Sequence, residues 1–231
     1  MATSISSRMT ISPFARRILC VVMSSFCGAS GAFAQTTSGL AIFARLMEQG
    51  MAALAKEPAI AQRAPGTRGI ALLQAAGDSA IYFVDDSALR DLGMLFAESA
   101  AKAPPERCAR LYTNGADGFA DVFGDLLVSA DSALVDRWSD FMVRVARAGI
   151  LRPPIGRIAT SAEITNTILA LMQKQPVADR ERLRLGAAKT GAAADICFFT
   201  VTLYRQVSSL PASQGGPVVR ALMRGVQPSI P

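Results

Sequence analysis

Asp131-Ser132-Ala133-Leu134-Val135-Asp136-Arg137-Trp138-Ser139-Asp140-Phe141-Met142-Val143-Arg144-Val145-Ala146-Arg147-Ala148-Gly149 is the stretch that decides the fold. Leu134, Trp138, Phe141, Met142 and Val145 recur at steps of three and four, the period of one face of an α-helix. Asp131 or Ser132 supplies a side-chain oxygen for the free amides at the start. Gly149 reads as the stop, since glycine adopts the conformations that end a helix at little steric cost. An apolar stripe of this length has to be buried against other elements.

Its neighbours are of the same kind. Upstream, Leu40, Phe43, Met47, Met51 and Leu54 line one helix face before Pro58. Leu89, Leu92, Leu95 and Phe96 mark a helix between Asp86 and Ala103, closed by Pro104-Pro105. Pro105 suits the first position of a short helix bearing Cys108, Leu111 and Tyr112 and ending at Asn114-Gly115. A further helix is expected from Asp117 to Val128. Downstream, Thr160 and Glu163 have the spacing of a capping box, ahead of Ile164, Ile168, Leu171 and Met172. A charged helix from Asp179 to Leu185 follows, then an apolar one with Ile196, Phe199, Leu203, Val207 and Leu210. Pro211 breaks that helix, and Val218, Val219, Leu222 and Met223 mark a last short one. Ile81-Tyr82-Phe83-Val84 alone has strand character, and Arg152–Arg157 reads as a loop between two helical halves. With no fixed-period repeat and no low-complexity tract, the expectation is all-α: a single orthogonal or bundle-like domain of about seven helices. A chain 51% hydrophobic with only 6% aromatic residues agrees with that.

The N-terminus carries an address. Arg16-Arg17 precedes an uncharged apolar run that ends at Ala32-Phe33-Ala34-Gln35. Basic start, apolar middle and small residues at −3 and −1 of a cut make a secretory signal peptide. Residues 1–34 are therefore expected to be signal and 35–231 the helical domain; a retained anchor and a buried helix are the rival readings. The bulky residues before Cys20 and Cys27 argue against a lipoprotein. Arg8, Arg16 and Arg17 are the only charges in the segment. Without it the 24 basic side chains fall to 21 against 18 acidic ones, and the net charge from +6 to +3. A mildly basic, mixed surface is no footprint for nucleic acid.

Two cysteines remain after cleavage, Cys108 and Cys197. An even count in an exported chain points to a disulfide, which would close a loop of about 90 residues. Both have apolar neighbours one turn away on their helices, so both are expected to face inward. Two inert thiols and a redox pair are the alternatives, the second disfavoured by the lack of a C-x-x-C motif.

The sequence contains no histidine, which removes Ser-His-Asp and Cys-His centres, imidazole metal ligation and histidine acid–base catalysis. Two cysteines alone do not make a thiolate zinc site. Ser99-Ala100-Ala101-Lys102, Tyr112-Thr113-Asn114 and Lys189-Thr190-Gly191 together resemble the motif set of penicillin-binding proteins and serine β-lactamases. The context differs at each one. Ser99 falls at a helix end, Tyr112 follows too soon for an intervening lobe, and Lys189 has no strand around it. Gly77-Asp78-Ser79 is similar to the nucleophile block of the GDS-type esterases, which need a histidine; it reads better as a turn. Asp117, Asp121 and Asp125 place three carboxylates on one helix face, where like charges at i,i+4 oppose the helix. A solvated face, a contact site for a cation or basic partner, and paired catalytic carboxylates are the three readings of that row. Arg180, Arg182 and Arg184 alternate and so spread around their helix, which favours a solvated set over an anionic-ligand site.

The chain therefore reads as an exported, periplasmic or secreted helical protein acting by binding a protein or envelope component. No cofactor, metal, nucleic acid or stable membrane span is expected, and the contact face is placed at Asp117, Asp121 and Asp125. A periplasmic enzyme using carboxylates and a carrier of apolar small ligands are the alternatives.

Overall fold

Apolar stripes at helical spacing are satisfied by packing helix on helix, and the computed structural model of the chain does this throughout its described residues. These are 37–77, 79–114, 122–124, 126 and 131–226. Eleven helices are delimited among them, in one compact domain. They are α1 (Thr37–Leu54), α2 (Pro58–Arg63), α3 (Ala71–Ala76), a 3-10 turn (Ala80–Phe83), α4 (Asp86–Lys102) and α5 (Pro105–Thr113). There follow α6 (Ser132–Leu151), α7 (Ser161–Lys174), α8 (Val177–Ala187), α9 (Ala193–Ser209) and α10 (Ala212–Met223). The all-α class is as expected, and no strand occurs among the described residues. The segment 1–34 and the acidic row Asp117, Asp121 and Asp125 lie outside the described residues.

About seven helices is too few: α2 and α3, of six residues each, and the four-residue 3-10 turn have no counterpart in the apolar spacing. Under two turns, a 3.6-residue period has nothing to repeat. Ile81-Tyr82-Phe83 belongs to that 3-10 turn and not to a strand; four apolar residues in a row carry no period of their own. Gly149 does not stop α6 either. It sits inside the helix, where a Cβ would stand 2.5 Å from the Ala80 Cβ and 2.8 Å from the Ala76 carbonyl. The glycine is there to let α3 and the 3-10 turn approach α6. The helix ends at Arg152, left-handed at φ 47°, immediately before Pro153-Pro154. The last helix starts six residues earlier than Val218, directly after Pro211, and carries Gly215, Gly216 and Pro217 in its first turns. Gly216 lies so close to Asp86 that a Cβ would be 2.5 Å from the Asp86 Cα.

Helices α4 and α9 form the centre, with α10 closing on α4 and both α5 and α8 on α9. Helix α6 carries α1, α3 and the 3-10 turn on its other side. The faces are those the spacing marks: Leu89, Leu92, Leu95 and Phe96 on α4, and Leu134, Trp138, Phe141 and Val145 on α6 are all buried. Trp138 joins the halves, its ring 5.7 Å from Phe96 and 5.5 Å from Phe123. Phe96 continues the chain of rings to Tyr204 of α9 at 5.1 Å. Offset and edge-on contacts of this kind add about 0.5–1.5 kcal/mol each beyond the area they bury. Among the described residues no helix is long and apolar enough to cross a membrane.

Candidate functional site

Helices α4 and α6 run antiparallel, and their facing edges are tied by ion pairs whose numbers fall on one helix as they rise on the other. Asp91 meets Arg144 at 3.6 Å, Glu98 meets Arg137 at 2.5 Å, and Lys102 meets Asp131. Exposed pairs of this sort contribute little stability, about 0–1 kcal/mol each, but they set which side chains face each other. Between the Asp91 and Glu98 rungs the ladder has a gap of almost two turns. There a cleft of about 430 Å³ opens over Met94, Leu95 and Phe141, rimmed by Arg90, Asp91, Arg137, Asp140 and Arg144, with Ser208 of α9 at its side. The wall is held from behind, since the Ser208 hydroxyl donates to the Arg90 carbonyl at 2.9 Å.

The charges around this cleft are unevenly matched. Arg90 and Arg144 share one carboxylate, Asp91, at 3.3 Å and 3.6 Å. Asp140 is exposed and stands one turn from Arg137 and Arg144 on α6, the spacing at which aspartate and arginine ordinarily pair. Both arginines instead reach across to α4. Asp140 is left with no ion-pair partner among the described residues, facing the cleft. This site was not read from the sequence. The signal was present in the three- and four-residue steps Arg137, Asp140, Arg144 and in Asp91, Glu98, Lys102. Only the antiparallel register aligns the two sets.

The residues marked in the sequence are dispersed. Ser99 is 2% exposed, and its oxygen accepts the Trp138 indole N–H at 2.9 Å inside the core. Lys102, three residues on, pairs with Asp131. Tyr112 and Lys189 do come together, the ammonium lying 4.9 Å from the ring centroid. The Tyr112 hydroxyl donates to the Ala187 carbonyl at 3.3 Å, and burial pushes its pKa up to about 12, so it stays a donor. Ser99 is bonded to α6 and takes no part in that pair. Ser79 precedes the 3-10 turn, as expected of a turn, and Asp78 lies outside the described residues. Each arginine of the 180–184 run has its own local partner. Arg180 donates to the Gln173 and Gln175 carbonyls, Arg182 pairs with Asp195 and covers the Phe198 ring, and Arg184 forks onto Glu181. Among the described residues no three histidine, cysteine or acidic side chains gather as a metal-binding group.

Cys108 of α5 and Cys197 of α9 meet, with Cα atoms 5.2 Å apart and their sulfurs at bonding distance. Cys108 is fully buried and Cys197 partly so. A second tie is absent from the sequence reading. Arg220 of α10 is 1% exposed, yet carries its charge between three partners. One terminal nitrogen donates to the Asp86 carboxylate at 2.6 Å and to the Arg157 carbonyl at 2.7 Å, the other to the Val84 carbonyl at 2.8 Å. Gly156 lies against the guanidinium, where a Cβ would stand 2.8 Å from a terminal nitrogen. The arginine thus fastens the irregular segment 152–160 to the start of α4. No family model, no curated protein and no solved structure matches this chain.

Proposed function

We propose that this protein is exported and works by binding, without a nucleophile or acid–base centre, through the cleft between α4 and α6. The observation that carries the reading is the fate of Ser99. The one serine in an S-x-x-K setting is buried in the core with its oxygen engaged by Trp138. A hydroxyl so placed reaches no substrate without opening the core. The cleft, by contrast, is open, of a size used for small ligands, and rimmed by charged side chains able to orient one. Export is supported by the Arg16-Arg17 start, the Ala32 and Ala34 positions and the paired Cys108 and Cys197, a combination suited to an oxidising compartment.

Expression of the full chain, fractionation and intact mass test both parts. The expected product is an extracytoplasmic chain beginning at Gln35 with one disulfide, inert toward the chromogenic β-lactam nitrocefin and toward p-nitrophenyl acetate. Turnover of either substrate that disappears in Ser99→Ala replaces the binding reading with an enzyme. A full-length chain recovered with membranes replaces the cleaved signal with an anchor.

A further inference from the structure

We infer that the α4–α6 cleft takes a small dipolar ligand, an ammonium and a carboxylate on one apolar body, the chemistry of a free aliphatic amino acid. This rests on the cleft being the binding surface of a non-catalytic protein. Its rim carries one carboxylate too many, Asp140, because Arg137 and Arg144 are drawn to Glu98 and Asp91. It also carries one guanidinium too many, because Arg90 and Arg144 divide a single Asp91. At 3.6 Å the Arg144–Asp91 contact is beyond hydrogen-bond reach, so guanidinium donors remain for a second carboxylate.

The two surpluses lie close together. Asp140 and Arg144 are one turn apart on α6, so an acceptor for an ammonium and a donor for a carboxylate stand as near neighbours, as the two groups on the α-carbon of an amino acid do. A purely anionic ligand meets Asp140 and a purely cationic one meets the arginines. A net-neutral dipole satisfies both. Met94 and Phe141 form the apolar floor between them, where the ligand's side chain lies. The volume of about 430 Å³ is near the lower end of small-ligand sites and ample for a single amino acid.

Three probes of the same carbon skeleton separate the terms: L-leucine, 4-methylpentanoate, which lacks the ammonium, and 3-methylbutylamine, which lacks the carboxylate. Each is titrated into the ¹⁵N-labelled protein obtained from the full chain, followed by amide shifts. Leucine is expected to give saturable shifts around Met94 on α4 and around Asp140 on α6, with both analogues at least about tenfold weaker. Asp140→Asn and Arg144→Gln, both at exposed positions, should each weaken leucine about three- to tenfold without changing the helical circular dichroism. The inference is overturned by the absence of saturable leucine shifts in this cleft, by an analogue binding as tightly as leucine, or by unchanged leucine affinity in Asp140→Asn. The comparison of analogues on the unsubstituted protein does not depend on either variant folding. Failure here is distinguishable from failure of the binding reading itself. Ester or β-lactam turnover sinks the latter, whereas a flat leucine titration on an inert protein sinks only the ligand class.

Discussion

Arg220 ties three separate parts of the chain together from inside the core. A guanidinium at 1% exposure is tolerable only when its hydrogens are used, and here Asp86, Val84 and Arg157 take three bonds while Nε stays buried with no hydrogen-bond partner. Removing one partner of such a set exposes the cost of the others. Arg220→Ala is expected to lower the unfolding free energy by about 3 kcal/mol in urea denaturation, near the low end for a broken buried pair because Asp86 keeps contact with solvent. Segment 152–160 should show the largest gain in amide exchange. Glu163 gives a milder, pH-dependent case at the protein surface. The Thr160 backbone N–H and then the Arg157 guanidinium bond its carboxylate and hold its pKa below the ordinary value of 4.5. The unfolded chain therefore binds the proton more readily than the folded one. This contribution to stability is complete above the unfolded value and fades as pH falls through the lower folded value. Glu163→Gln should flatten the loss of urea midpoint below about pH 4.5 relative to the parent, measured over a pH series.

At the scale of the element, helix ends follow local chemistry and helix interiors follow neighbours. Asp85, Asp131 and Thr160 each accept from the amide three residues on, at 2.9, 3.0 and 3.2 Å. Such caps are worth about 1 kcal/mol each. The interior of α6 obeys a different requirement. Gly149 costs that helix about 1 kcal/mol in propensity relative to alanine, and the return is close contact with α3 and the 3-10 turn. Gly149→Ala is therefore a contest between a better helix and a collision with Ala76 and Ala80, one of whose contacts is a backbone carbonyl that has little room to move. The collision is expected to win, with a net destabilisation of about 1–3 kcal/mol seen as a lower denaturation midpoint at unchanged slope. An increase in stability would mean that α3 is free to move away from α6.

For the molecule as a whole, the decisive link is between Cys108 and Cys197, 89 residues apart in sequence. Helices α6, α7 and α8 lie within the closed loop, so the bridge restricts the unfolded chain over much of the domain. Chain-entropy arguments put such a closure at about 4–5 kcal/mol as an upper figure. Cys108→Ala with Cys197→Ala should lower the unfolding free energy by about 2–5 kcal/mol and the melting temperature accordingly, with the helical spectrum preserved at room temperature. Reduction of the parent by dithiothreitol should reproduce the shift. A double variant that melts with the parent would mean that the two sulfurs are not joined in solution.

What the sequence determined by itself was whatever acts within a few residues or through composition. Apolar period marked the buried faces of α1, α4, α6, α7 and α9. The oxygen at Thr160 and the carboxylate three residues later made the capping box, and its reciprocal bonds are both present. Of the four cysteines, the two outside the expected signal segment, Cys108 and Cys197, are the ones that meet. Each depends on a helical turn or on a small set of possible partners. Tertiary structure alone decided the register between elements. It turned Arg137 and Arg144 toward α4 and left Asp140 unmatched, placed Ser99 under Trp138, made Gly149 a contact instead of a terminus, and brought Arg220 to Asp86 across 134 residues. These outcomes are fixed by how whole faces interlock. A face records that it will be buried, but not which residue of which neighbour it will meet.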